Sequence, residues 1–207
     1  MLAKAGGLPL TWLANLIDQP LACVIADRSI GQLKDLKNKT IGYSSGTVDS
    51  IVLATMLKNN GMTLKDVNLL NVHYNLNQAL LSQRVAAVSG AMRNVELMEL
   101  MEQGLPVNAF YPEQYGVPSY AELIFVVRPE AVQSPALQAF VAAITEAISY
   151  LKAHPQESWL LLIKHHAELN TPTNHKIFQV TIPYFSHRPD YFDFKQNERL
   201  AKFLSVA

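Results

Sequence analysis

The segment from Lys39 to Gly61 constrains the fold most, because it reads as a strand, a tight turn and a helix in immediate succession. Residues 40–43 are a short strand-like run, Ser44-Ser45-Gly46-Thr47 is a turn of small residues, and residues 48–60 read as a helix. Thr47 suits its N-cap and Gly61 its left-handed stop. Such a turn aims backbone N–H groups and the positive end of a helix dipole at whatever lies above it. A second unit of this kind follows, with strand 85–91, the polar run Arg93-Asn94-Val95-Glu96, a helix over 94–103 and a stop at Gly104. Between them lie strand 67–72 and a helix from Asn75 to Gln83, and strand 106–110 comes after. This alternation predicts an α/β fold with a mostly parallel sheet. Ligands of such sheets bind beyond the carboxyl ends of the strands, so binding is the first function to consider.

The pattern changes after Tyr120. Residues 122–127 form a strong β run, and nearly everything beyond reads as helix: 135–153 behind Ser134-Pro135, then 155–169, 174–185 and 193–205. The strand-like runs 21–26 and 122–127 bracket the α/β block, which predicts two lobes joined by two crossing strands lying side by side. Residues 1–26 with 121–207 would form lobe one, mainly helical, and residues 27–120 lobe two. Lobe one then has helices but very few strands for them to cover, and its sheet is expected to be incomplete. Residues 8–17 are apolar and poorly punctuated and suggest no definite element. Helices short of a sheet should expose Phe140, Ile144, Trp159, Leu162 and Phe203, so a homodimer through these lobe-one helices is expected.

Composition removes several classes of function. The chain has 207 residues, of which 49% are hydrophobic and 16% charged, which excludes disorder. Basic and acidic residues number 17 each, with no basic stripe, so a nucleic-acid partner has no electrostatic footprint. The one cysteine, Cys23, is set among Leu21, Ala22, Val24 and Ile25 and reads as a buried, inert thiol. No apolar run approaches a membrane span, and the opening Met1-Leu-Ala-Lys lacks the apolar core of a signal peptide. His165 and His166 are adjacent and diverge around a helix. His154, His175 and His73 add no ligand spacing, so neither metal nor cofactor is expected.

Gly90-Ala-Met-Arg-Asn-Val-Glu-Leu97 and Tyr111-Pro-Glu-Gln-Tyr-Gly-Val-Pro-Ser-Tyr-Ala-Glu-Leu-Ile-Phe125, with the ending Pro183-Tyr-Phe-Ser-His-Arg-Pro189, carry a resemblance. They resemble the substrate-binding proteins of ABC importers for pyrimidine precursors of thiamine, relatives of the fungal hydroxymethylpyrimidine phosphate synthase. The resemblance implies the type II periplasmic-binding-protein fold, an aminopyrimidine held in an interlobe cleft, an ABC permease as partner and a location outside the cytoplasm, periplasmic or membrane-anchored. It also implies a further N-terminal segment, with the first strands of lobe one and the signal sequence, upstream of Met1. Where family members often carry an Asp, this chain has Ala86. Three other readings stand beside transport: a synthase-like enzyme, for which one buried cysteine and no metal spacing fit poorly; an effector-sensing regulator domain; and a remnant that binds nothing.

The candidate ligand-binding residues are Tyr43, Ser44, Ser45, Gly46, Thr47, Arg93, Asn94, Glu96, Tyr115, Tyr120 and Glu122. The turn 44–47 can hold a formyl or hydroxymethyl group, or it simply caps a helix. Asp49 there disfavours a phosphate. Asn94 and Glu96 can read an aminopyrimidine, because an amide both donates and accepts and a carboxylate accepts from the amine. Otherwise they are an N-cap and a first-turn carboxylate. Arg93 can pair with Glu96 or with a lobe-one carboxylate, or stay solvated. Tyr43, Tyr115 and Tyr120 offer flat faces for a heterocycle or ordinary hinge packing, and Glu122 faces the cleft or caps its strand.

Overall fold

A computed structural model describes residues 6–44 and 47–206. The chain divides into two compact units, Met1–Pro20 with Tyr120–Lys195, and Leu21–Ser119 with Gln196–Ala207. It therefore passes between units after Pro20, Ser119 and Lys195, and places residues 21–26 and 196–207 in the second unit, unlike the expected division.

The second unit is built on a five-stranded sheet. Its strands are β2 (Ala22–Asp27), β3 (Thr40–Tyr43), β4 (Asn68–Asn71), β5 (Ala87–Met92) and β6 (Val107–Phe110), in the order β4-β3-β5-β2-β6. β3 is parallel to β4 and β5, while β2 is antiparallel to β5 and β6, so four strands run one way around a single reversed strand. β2 is an unbroken apolar run as far as the exposed Asp27, as suits a strand buried on both faces. Cys23, Val24, Ile25 and Ala26 are all at most 1% exposed.

Helix α1 (Thr47–Lys58) buries Val52, Leu53, Met56 and Leu57 as one stripe. Helices α2 (Leu76–Leu81) and α3 (Glu96–Glu102) pack Leu76, Leu80, Leu97 and Leu100 into one cluster with Cys23, Ile25 and Val88 of the sheet. A Cβ at Gly42 would lie 3.2 Å from Val72 and 3.3 Å from Val88, which accounts for glycine inside β3.

The first unit holds a two-stranded antiparallel sheet, β1 (Thr11–Ile17) with β7 (Leu123–Val127). This corrects the expected crossing pair: residues 122–127 pair with 11–17, and residues 21–26 lie in the other sheet. The reason is visible in the register. Two irregularities give β1 seven residues against five in β7, which breaks the period-2 pattern that would mark 11–17 as a strand. Beyond β1 the segment 185–191 closes over its other edge. Ile17 bridges Phe185, and the Asn15 amide donates to the carbonyl of Tyr191 at 2.9 Å.

Helix α4 (Pro135–Ala153) lays Val141 on Leu13 and Ala14, with Phe125 and Val127 alongside. Helices α5 (Pro155–His165) and α6 (Pro172–Thr181) follow. The Thr171 hydroxyl caps α6 by accepting from Asn174 N–H, and Pro183 reduces the expected helix end to a 3-10 turn over Ile182–Tyr184. Trp159 is buried rather than exposed, stacked on His175 at 4.8 Å and against Phe178 at 5.3 Å. Phe140 stays 38% exposed, its ring edge-on to Phe125. Helix α7 (Phe194–Val206) ends the described chain.

Candidate ligand site

The carboxyl ends of β3 and β5 are adjacent in the second unit, with Tyr43 in register with Ser89. Tyr43 and Ser44 close β3 and are half-buried. Ser45 and Gly46 lie outside the described residues, as does the side chain of Thr47. α1 begins at Thr47 itself, so Thr47 is the first helical residue and not its cap. β5 runs three residues further than this pairing. At Gly90, with φ +82°, it takes an extra residue opposite β2, a bulge of the kind glycine permits. The bulge leads the chain directly into Arg93, Asn94 and Glu96.

Arg93 is mostly buried and bonded rather than solvated. Its guanidinium forms a two-pronged pair with Glu113 at 2.6 and 2.9 Å, donates to the carbonyls of Leu21 and Ala22 at 3.3 Å each, and lies 4.3 Å over the Tyr111 ring. Its side chain is only 10% exposed. The planar fork of arginine suits this combination of carboxylate and stacking. Burial works against ionisation of Glu113, yet the Arg93 hydrogen bonds and charge outweigh it and hold the carboxyl below its ordinary range. Arg93 is thus a clamp that fixes β2, β5 and the turn Pro112–Tyr115 to one another. The two sequence segments that carry the resemblance, 90–97 and 111–125, meet in this clamp.

Asn94 is 6% exposed, and Val95, not Asn94, is the N-cap of α3. Glu96 opens α3 and accepts the Met92 N–H at 2.8 Å through one carboxylate oxygen. That bond orients the carboxylate at the strand end, and its other oxygen is chemically able to accept an amine. The Asn77 amide ties α2 to α3 by donating to the Glu96 carbonyl and the Glu99 carboxylate. Sequence reading missed both Glu113 and Asn77. Their side chains act across the fold, and the only signal was the position of Glu113 inside the 111–125 motif.

Tyr115 is half-buried, edge-on to Phe110, and its carbonyl accepts from Asn59 of α1 at 2.8 Å. Tyr120 and Glu122 belong to the first unit, just before β7. His73 lies two residues past β4 in the left-handed region, at φ 52°, and is exposed. Cys23 is buried in β2, and burial, against the pull of Arg93, pushes its thiol up to about 12. Among the described residues no three His, Cys, Asp or Glu side chains are grouped to hold a metal ion, and no helix is long and apolar enough to cross a membrane.

The family model described as NMT1/THI5 like matches residues 1–158. The chain belongs to the NMT1/THI5-like family. A Haemophilus influenzae relative named as a thiamine biosynthesis protein is 40% identical over 203 residues, 97% of this chain and 65% of its own length. The formylaminopyrimidine-binding protein of Halalkalibacterium halodurans is 30% identical over 176 residues, 83% of this chain and 53% of its own. Other relatives are named as enzymes. The 4-amino-5-hydroxymethyl-2-methylpyrimidine phosphate synthase of Aspergillus parasiticus is 27% identical over 199 residues, 89% of this chain and 58% of its own. The chain thus spans between half and two-thirds of the length of these relatives. The fold is that of the periplasmic binding proteins. The Escherichia coli aliphatic sulphonate binding protein superposes with a TM-score of 0.72 at 14% identity, over 99% of this chain and 67% of that one.

Proposed function

We propose that the chain is the solute-binding part of an ABC importer, taking an aminopyrimidine precursor of thiamine outside the cytoplasm and presenting it to a permease. One observation carries this reading. An amide, Asn94, and an oriented carboxylate, Glu96, follow β5, next to the strand end that bears Tyr43 and Ser44, in a chain 30% identical to a formylaminopyrimidine-binding protein. Glu96 would accept from the ring amine, Asn94 would meet a ring nitrogen, and Tyr43 would supply a flat face. Ser44 would hold the formyl oxygen. Arg93 in this scheme touches no ligand and positions the residues that do. The reading requires no bond to be made or broken in the ligand.

Calorimetry with a formylated aminopyrimidine tests it. Saturable binding is expected, with the ligand recovered unchanged. Glu96→Ala should weaken it by about 1.5–3 kcal/mol, the range for a hydrogen bond to a charged group. Absence of binding to any aminopyrimidine would overturn the proposal, and conversion of the ligand would favour the enzymatic reading. Unchanged affinity in Glu96→Ala would leave Glu96 a capping residue only.

A further inference from the structure

Within the second unit, the turn between β4 and α2 opens at the same edge of the sheet as Tyr43 and Glu96. β4 is parallel to β3, with Asn71 in register with Tyr43, and the Val72 N–H donates to the Tyr43 carbonyl at 2.9 Å. The chain therefore leaves β4 beside the end of β3. Five residues on, the Asn77 amide donates to the Glu96 carbonyl at 3.2 Å and to the Glu99 carboxylate at 2.7 Å, tying the start of α2 to the start of α3. Residues 73–75 are thus anchored next to Tyr43 at one end and next to Glu96 at the other.

Hydrogen bonds define the turn. The Asn75 N–H donates to the Val72 carbonyl at 3.1 Å, and the His73 N–H to the Asn71 side-chain oxygen at 2.8 Å. His73 takes φ 52°, a left-handed conformation that a Cβ disfavours and glycine adopts readily. Tyr74 follows at the corner of the turn and is 89% exposed, the highest value among the exposed large hydrophobic side chains of the described residues. A single exposed aromatic is ordinary on a protein surface. This one stands at the carboxyl ends of parallel strands, where ligands of such sheets bind. We propose that Tyr74 is a further ligand-binding residue, a second aromatic face that meets the aminopyrimidine ring from the β4 side while Tyr43 meets it from β3. The inference rests on the aminopyrimidine reading above. Neighbouring strands lie about 4.8 Å apart and stacked rings have centroids about 4.5–7 Å apart, so tyrosines at adjoining strand ends are within reach of one heterocycle. Two such faces favour a flat ring over a saturated one of the same size.

Calorimetry of the full chain with a formylated aminopyrimidine compares the unaltered protein with Tyr74→Ala and Tyr74→Phe. Tyr74→Ala should weaken binding roughly 5- to 150-fold, the loss found when a nucleobase is deprived of an aromatic stacking partner. Tyr74→Phe keeps the face and should stay within about twofold of the unaltered chain. Because the side chain is exposed, neither change should move the thermal midpoint of the unliganded protein by more than about 2 °C, which separates lost affinity from lost fold. A second readout needs no variant. Tetranitromethane should nitrate Tyr74 in the free chain and spare it at saturating ligand, as followed by peptide mass. Unchanged affinity in Tyr74→Ala, an equal loss in Tyr74→Phe, or nitration of Tyr74 at the same rate with and without ligand would overturn the proposal and leave the aminopyrimidine reading standing. An unaltered chain that binds no aminopyrimidine would overturn both.

Discussion

Replacing Arg93 by methionine keeps the length of the apolar stem and removes the guanidinium, and so separates a clamp from a ligand-binding group. The bond most at stake is the two-pronged contact with Glu113, at 2.6 and 2.9 Å. Hydrogen bonds to charged groups contribute about 1.5–3 kcal/mol, and because the Glu113 side chain is 33% exposed, water recovers part of its loss. The stack on Tyr111 adds about 0.5–1 kcal/mol. The carbonyls of Leu21 and Ala22, at 3.3 Å, lose weaker bonds. Together these predict a destabilisation of about 2–4 kcal/mol. At about 2–4 °C per kcal/mol for a chain of this size, the thermal midpoint should fall by roughly 5–15 °C. Circular dichroism melts measure it, with amide exchange in β2 and β5 locating the loss in the second unit. The effect should also depend on pH. The carboxyl of Glu113 is depressed in the folded state, so the stability it contributes is fully present above the ordinary carboxylate range and disappears as pH falls through the lower folded value. The gap between the two proteins should therefore narrow in acid. A midpoint shift below about 1 °C, together with a large loss of aminopyrimidine affinity, would refute the clamp and return Arg93 to the ligand.

Two further outcomes follow from the same unit. Gly116→Ala should cost about 2–3 kcal/mol in urea denaturation, because φ is +87° and the new Cβ would lie 2.0 Å from the Asn59 amide nitrogen, breaking its bond to Tyr115; a loss below about 0.5 kcal/mol would contradict that geometry. Cys23 should resist a thiol reagent at pH 8 until denaturant is added, since its thiol is buried and its pKa is near 12; immediate stoichiometric labelling would show that β2 opens in the native state.

The parts of the fold that were legible in the sequence share one property, which is that local chemistry decides them. The small-residue strand 85–91, the Ser134-Pro135 helix start and the apolar block 21–26 are each set by neighbours a few residues away. What was not legible depends on pairing at a distance. Residues 11–17 gave no strand signal because their irregular register with β7 spoils the alternation. Residues 21–26 have a strand's composition, but nothing in them says whether they cross between lobes or lie inside a sheet. The same division holds at the site. Asn94 and Glu96 could be picked out as a polar start to a helix, while the commitment of Arg93 to Glu113, twenty residues on, is a property of the folded turn. The exposure expected of Trp159 failed because its neighbours, His175 and Phe178, are supplied by a helix whose approach the sequence does not encode locally.

The interior position of β2, between β5 and β6, has a consequence for how the chain is made. Its partners β5 and β6 emerge from the ribosome roughly 60 and 80 residues after it. Closing loops of that length costs only slowly rising entropy, about 0.6 kcal/mol for each doubling, so the equilibrium suffers little. The rate suffers more, because non-local pairings form late. Until Phe110 has been synthesised and released, the run Ala22-Cys-Val-Ile-Ala26 is an unpaired apolar strand, the kind of segment that nucleates aggregates during synthesis. Yield at high expression should therefore follow translation speed and chaperone supply more closely than it follows the stability of the finished protein.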